Sequence, residues 1–374
     1  MSGRIAICGA VAQKAFQAGH TWQYLQYLLG FRRLGWDVLF VDRLTGEVAR
    51  DDPRVVYLST VMRQAGLGDA WTIGLDRGRS AGVPRHEVLR RVHDADLLLN
   101  VMGFCTDQEL LGTAPRRVFL DTDPGFGQMW RELGLADIFA GHDAYVTIGE
   151  RIGAPDCAIP TCGLPWITTP QPVVLDAWPA TRPLSRPGSF TSIASWRGAY
   201  GPVEYRGHRY GLRVHQFRRF ATLPRLTGVP FELALDIHPA ESADISLLKD
   251  GGWALLDPAQ VASTPRSYQD YVRASWAELM VAKGMYVDTR SGWFSERSIC
   301  YLASGRPVLA QDTGLGDRYP LGEGLLAFAT LEEAVAGVEA LRTRPREHAK
   351  AARALAEEHF DSDKVLARLL ERLA

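Results

Sequence analysis

Strand-length apolar runs without polar alternation recur along this chain, each followed by a helix-length segment. RIAIC (4–8), DVLFVD (37–42), DLLLNV (96–101), RVFLD (117–121) and AYVTIG (144–149) form a first set. SFTSIAS (189–195), PFELALDI (230–237), GWALLD (252–257), AELMVAK (277–283), PVLAQD (307–312) and LLAFA (325–329) form a second. A run with no alternation suits a strand buried on both faces, and intervening helices make such strands parallel. Between the sets lie Pro155, Pro160, Pro165, Pro170, Pro172, Pro179, Pro183 and Pro187, whose fixed φ angles stiffen a connector. The expected division is an amino-terminal domain at 1–165, a proline-rich linker at 166–188, a second domain at 189–350 and a terminal helix at 351–374. Two such open sheets present their strand carboxyl ends to a shared cleft, where ligands of this architecture bind.

Charge narrows the partners. Lys plus Arg total 42 and Asp plus Glu 43, a net charge of −1, which argues against broad nucleic-acid binding but leaves room for one small basic pocket. No apolar window is long enough for a membrane span, and MSGRIAICGA lacks the apolar core of a secretory signal. The 5 cysteines are odd in number and mostly embedded in apolar runs, so reduced thiols and a cytoplasmic location are expected. No zinc-finger spacing, P-loop, G-x-G-x-x-G after a first strand or G-x-S-x-G elbow occurs, and no metal site is assigned.

The stretch AKGMYVDTRSGWFSERSICYLASGRPVLAQDTG (282–314) carries the most chemistry. A strand end near Lys283 leads through Arg290, Ser291, Gly292, Trp293 and Phe294 into a helix starting near Ser295. Free amides and the positive dipole end at such a helix start suit a diphosphate, and Lys283 and Arg290 add charge. Glu296 in the first turn can accept both ribose hydroxyls of a nucleotide. An ordinary N-cap with a first-turn acid explains the same two residues equally well. Ser195, Arg197 and Gly198 follow the first strand of the second unit, and Asp312 and Thr313 sit at another strand end; both groups face the expected cleft.

Here the chain resembles GT-B glycosyltransferases, two-domain Rossmann-like enzymes using nucleotide diphosphate sugars. The resemblance is strongest over 189–340, where RSGWFSERSICYLASGRPVLAQDTG looks like the Trp-Phe-Ser-(acid)-Arg helix, Gly-Arg-Pro-Val and Gln-Asp-Thr-Gly strand end of bacterial members. It implies an α/β fold of two doubly wound domains facing a cleft, with the carboxyl-terminal helix crossing back to the first domain. It further implies a donor on the second domain, with Asp312 and Thr313 near the sugar, an acceptor on the first, and no obligatory cofactor beyond the nucleotide sugar.

On the acceptor side, Gly19-His20 stands where the first loop meets the first helix. A neutral imidazole there can take a hydroxyl proton, and in natural-product members of the resembling family an acceptor-activating His occupies this junction. Asp121-Thr122-Asp123 looks like the metal-holding pair of the other large glycosyltransferase fold, but that fold has one α/β domain. Asp121 or Asp123 is therefore expected to orient His20 or bind acceptor hydroxyls; turn-forming before Pro-Gly is the alternative. Trp22, Tyr24, Phe126 and Trp130 are candidates for an aromatic acceptor wall, and core packing is theirs otherwise. The expected function is transfer of a hexose or deoxysugar from a UDP- or TDP-sugar to a small-molecule hydroxyl, natural products included. A sugar-nucleotide epimerase and a non-catalytic shell of the same fold are the alternatives. The expected partners are the donor and acceptor alone, with no nucleic acid.

Overall fold

The computed structural model describes residues 3–49, 51–182, 188–198 and 200–374. Its first sheet contains β1 (Arg4–Cys8), β2 (Asp37–Arg43), β3 (Trp71–Gly74), β4 (Ser80–Gly82), β5 (Leu97–Val101), β6 (Arg117–Asp121), β7 (Ala144–Thr147) and β8 (Trp166–Thr168). Their order is β4-β3-β2-β1-β5-β6-β7-β8, every neighbouring pair parallel except β3 with β4. The central strands are buried along nearly their whole length, as their unbroken apolar runs require.

The second sheet is built from β9 (Phe190–Ser195), β12 (Phe231–Asp236), β13 (Trp253–Leu256), β14 (Ala277–Met280), β15 (Val308–Gln311) and β16 (Leu325–Phe328). They run in the order β13-β12-β9-β14-β15-β16, all parallel. A small antiparallel hairpin, β10 (Val203–Tyr205) with β11 (His208–Tyr210), leaves the end of β9. Strand order reverses between β1 and β5 in one sheet and between β9 and β14 in the other. Those switch points open crevices at the strand carboxyl ends.

Trp166–Thr168 lies inside the expected linker but pairs with β7, because the alternating Trp-Ile-Thr triplet completes an otherwise open sheet edge. Residues 183–187 of that linker lie outside the described residues. The chain then crosses back as expected. Helix Pro345–Leu355 passes through a π turn at Ala356–Phe360 into helix Ser362–Leu373. Val173 N donates to Phe360 O (2.7 Å), Ser362 N donates to Val173 O (2.9 Å), and Arg33 makes a two-pronged contact to Asp363.

One apolar core joins both halves. The first helix, Ala18–Arg33, buries residues on several sides because it lies on the first sheet, the last helix and the second domain together. Gln26 within it accepts from Val174 N at 2.8 Å, and Trp22 Nε1 donates to Pro265 O at 2.9 Å. Gly30 lets the last helix approach: a Cβ there would stand 2.5 Å from Leu366 Cδ1 and 3.0 Å from Ser362 Cβ. Gly30→Val should therefore cost about 1–3 kcal/mol by overpacking, read as a lower urea midpoint. An unchanged midpoint would show that the last helix yields there freely.

Candidate active site

The loop after β14 is shaped by its own hydrogen bonds. Lys283 precedes a short helix, Gly284–Asp288, and the chain turns back through Arg290 and Gly292, both at positive φ (50° and 70°). Ser291 Oγ donates to Tyr286 O and accepts from Trp293 N, Gly292 N donates to Thr313 O (2.7 Å), and Thr313 Oγ1 donates to Trp293 O (2.7 Å). From the first domain, Arg151 presses against both Gly292 and Gly314. A Cβ at Gly292 would meet its backbone nitrogen at 2.9 Å, and one at Gly314 its Cδ at 2.5 Å. Arg151 also donates to Arg290 O (3.1 Å) and pairs with Asp156 and Asp317. The loop is thus held by residues of both domains.

Ser295 caps helix Glu296–Ala303, accepting from Arg297 N at 3.2 Å, and leaves Glu296 half-buried at the entrance, with Gln171 Nε2 3.5 Å from its carboxylate. Behind it Arg297 forms a buried 2.5 Å ion pair with Glu278 and donates to Ile193 O at 2.6 Å. Burial pushes the Glu278 carboxyl up, with Arg297 opposing.

Two cations stand near Tyr286. Lys283 Nζ lies 2.5 Å from Asp123 Oδ2 and 5.1 Å from the Phe126 ring centre, and Tyr286 OH donates to Asp123 Oδ1 at 2.5 Å. Burial first, then Asp123, hold the Tyr286 hydroxyl protonated well above its ordinary range. Arg213, at the start of helix Arg213–Arg219, has a buried Nε without a hydrogen-bond partner and forms no ion pair among the described residues. Burial lowers its pKa, Arg297 adds to that, and Tyr286, Glu296 and Asp123 oppose it. A buried guanidinium nitrogen left unsatisfied is costly, and a forked cation of this kind matches a phosphate oxygen pair.

His20 is half-buried, its Nε2 closed off without a partner and its ring edge-on to Tyr24 (5.1 Å) and Phe104 (6.4 Å). Burial, reinforced by Lys14, pushes its pKa down to about 3, so the ring is neutral but less basic than an ordinary imidazole. Asp121 does not orient it. That buried carboxylate accepts from Gln128 Nε2 (2.7 Å), Thr147 Oγ1 (2.9 Å) and Asp123 N (3.1 Å), and burial raises its pKa to about 6. Asp121 turns inward and Asp123 outward to Lys283, so the two do not converge on one point. Among the described residues no cluster of three or more His, Cys, Asp or Glu is placed to hold a metal.

Other expected site residues are engaged elsewhere. Trp22 is 7% exposed and packs on Trp178 at 4.9 Å, as core and not acceptor wall. Tyr24 is buried, while Phe126 and half-buried Trp130 pack around Tyr200. Phe294 is buried against Tyr319 and Phe360. Arg290 is exposed and reaches Asp156 at 2.9 Å, and Arg197 points away to Glu241, leaving exposed Ser195 and Gly198 at the end of β9. Asp312 caps the turn after β15, accepting from Gly314 N and Leu315 N. Sequence reading missed Arg213, Arg151, Arg297 and Gln171. The first stands among several arginines in GLRVHQFRR, with nothing in its spacing to separate it from its solvated neighbours.

No family model matches the sequence and no curated protein is similar to it at a significant level. The fold does have solved counterparts. An α-glucosyltransferase in complex with UDP-glucose and DNA containing an abasic site aligns with 100% of this chain and 99% of its own, at TM-score 0.64 and 13% identity. HepE from Anabaena, in complex with UDP and glucose, aligns over 99% of both chains at TM-score 0.59 and 12% identity. Sucrose-phosphate synthase from Thermosynechococcus elongatus aligns over 99% of both at TM-score 0.57 and 12% identity. This chain has the GT-B fold, as the sequence resemblance implied. No described helix is long and apolar enough to cross a membrane.

Proposed function

We propose that the protein is a glycosyltransferase moving a hexose or deoxysugar from a UDP- or TDP-sugar to a small-molecule hydroxyl, with no obligatory metal. The observation that carries this reading is Arg213, a half-buried cation whose buried Nε has no hydrogen-bond partner among the described residues and whose charge feels Arg297, Tyr286, Glu296 and Asp123. The diphosphate would take Arg213 and draw Lys283 from Asp123, and the ribose would reach Glu296. In the reaction the bond from sugar C1 to the diphosphate oxygen breaks, its electron pair leaving with the nucleotide diphosphate. The acceptor oxygen bonds to C1 and its proton passes to the His20 ring, whose buried Nε2 the acceptor must first reach. A weak base suffices late in that step, because the attacking oxygen becomes strongly acidic as its new bond forms. Positive charge fixed at the leaving oxygen lowers the barrier without reorganisation.

The test is nucleotide release from UDP- and TDP-sugars with and without a mixture of hydroxyl acceptors. Release that requires acceptor and yields a glycosylated product supports the proposal. Conversion of the donor alone would favour an epimerase.

The pH profile follows from His20. With its pKa at about 3 the ring is neutral above that value, so its protonation does not slow transfer between pH 7 and 5. An inflection near 6.5 that vanishes in His20→Gln would contradict this placement.

A further inference from the structure

Two thiols meet on one face of the first sheet, away from the donor loop. Cys8 ends β1, paired with Val41 of β2 and Asn100 of β5, and is buried. The Asn100 side chain clasps the loop after β5: its Oδ1 accepts from Cys105 N at 2.9 Å and its Nδ2 donates to Cys105 O at 3.1 Å. Register partners on neighbouring strands share a face of the sheet, so this clasp packs Cys105 onto the apolar cluster that holds Cys8. Cys105 is half-buried and lines a cavity of about 490 Å³ that opens at the carboxyl ends of β1, β2 and β3. We propose that Cys8 and Cys105 are an oxidant-responsive pair: a peroxide entering this cavity oxidises Cys105, and Cys8 then closes a disulfide that shifts Phe104 off His20. The thiol chemistry stands by itself, and its effect on transfer rests on the glycosyltransferase reading.

The two thiols are hydrogen-bonded to each other, and that bond acts on them in opposite directions. It pulls the Cys105 thiol below its ordinary pKa against burial, with the Asp107 amide and Arg43 helping and the Asp107 carboxylate opposing. The same bond, with burial, pushes Cys8 up. Burial also pushes up Cys157, Cys162 and Cys300. The thiolate is the reactive form, so the thiol facing the cavity is the one that reacts first, with Cys8 behind it to resolve the product.

The Cys105 thiolate attacks one peroxide oxygen. The O–O bond breaks, and the other oxygen leaves as hydroxide and gains a proton to become water. Cys105 is then a sulfenic acid. The Cys8 sulfur gives up its proton, bonds to the Cys105 sulfur and displaces the hydroxyl as a second water. Two thiols are oxidised and one peroxide is reduced. Cys8 is fixed in a strand paired on both sides, so closure moves the loop, which already turns through Met102 and Gly103 at positive φ (53° and 69°). Phe104 precedes Cys105 in that loop, meets His20 edge-on at 6.4 Å and lies 5.2 Å from Lys14 Nζ. Arg213 and Lys283 belong to the second domain, so nucleotide affinity is left as it was.

The experiment treats the full chain with hydrogen peroxide, blocks the remaining thiols and maps the cysteines by peptide mass spectrometry. Cys8 should be joined to Cys105, with Cys157, Cys162 and Cys300 still reduced. In Cys8→Ala, dimedone should trap Cys105 as its sulfenic acid, and in Cys105→Ser, Cys8 should stay reduced. Acceptor-dependent nucleotide release from UDP- and TDP-sugars should fall at least tenfold on oxidation and return with dithiothreitol, while UDP affinity holds. Peroxide-treated Cys105→Ser should keep its release rate. No disulfide between Cys8 and Cys105 in the wild type, oxidation of Cys8 as readily in Cys105→Ser, or a disulfide that leaves release unchanged would overturn the proposal. The mapped disulfide in a protein that releases no nucleotide in either state would uphold the thiol pair and reject the transfer reading instead.

Discussion

Arg213→Met should weaken UDP binding by about 10–100-fold while leaving the unfolding midpoint unchanged or higher. A hydrogen bond to a charged group contributes about 1.5–3 kcal/mol, which sets the affinity loss. The stability effect runs the other way because Arg213 has a buried Nε without a hydrogen-bond partner and forms no ion pair among the described residues. Exchanging a half-buried cation with an unsatisfied Nε for an apolar chain of similar length relieves the desolvation of that nitrogen without breaking a described ion pair. Turnover should fall further, by about 10²–10³, if the same guanidinium faces the charge on the departing diphosphate. Paired titration and thermal unfolding of the variant read both effects. A lower midpoint with unchanged UDP affinity would make Arg213 a structural residue.

Arg297→Ala should be far more disruptive to folding than to binding alone. It leaves Glu278, 0% exposed, without its cation, and breaking one partner of such a buried pair costs about 3–5 kcal/mol. The pair braces helix Glu296–Ala303 against β9 through the bond to Ile193 O, so the capped end carrying Glu296 loses its support as well. Because burial already raises the Glu278 pKa, the variant's folded state favours the protonated acid more strongly still. Its deficit should then shrink as pH falls toward the raised pKa and be largest above it. Denaturant unfolding across pH checks this, and Arg297→Met with Glu278→Leu should recover much of the loss. A pH-independent deficit, or none, would mean that the pair is solvated.

The fold was largely legible because its strands are buried on both faces and therefore read as continuous apolar runs. Short or polar strands were not: β4, β8 and the β10–β11 hairpin have three residues each and draw their stability from neighbours already in place. AELMVAK reads as strand to Lys283, yet β14 ends at Met280, because Gln311 Oε1 captures Ala282 N and turns the chain toward the cleft. The loop after β14 could be located from its glycines and serine cap. Its partners could not, since Arg151 arrives from the other domain and Arg213 from a helix with no distinguishing pattern. The protonation behaviour of His20 depends on Tyr24, Phe104 and Lys14 closing around it, which only the packing reveals.

The central claim is that the second domain binds a nucleotide diphosphate through Arg213 and Glu296 without a metal. Calorimetric titration of UDP and TDP into the metal-free protein, and into its Arg213→Met and Glu296→Ala variants, addresses it directly. The account expects saturable binding of at least one nucleotide in the wild type, unaffected by magnesium and weakened at least tenfold in each variant. Absence of binding by either nucleotide, or binding that both variants retain in full, would contradict it.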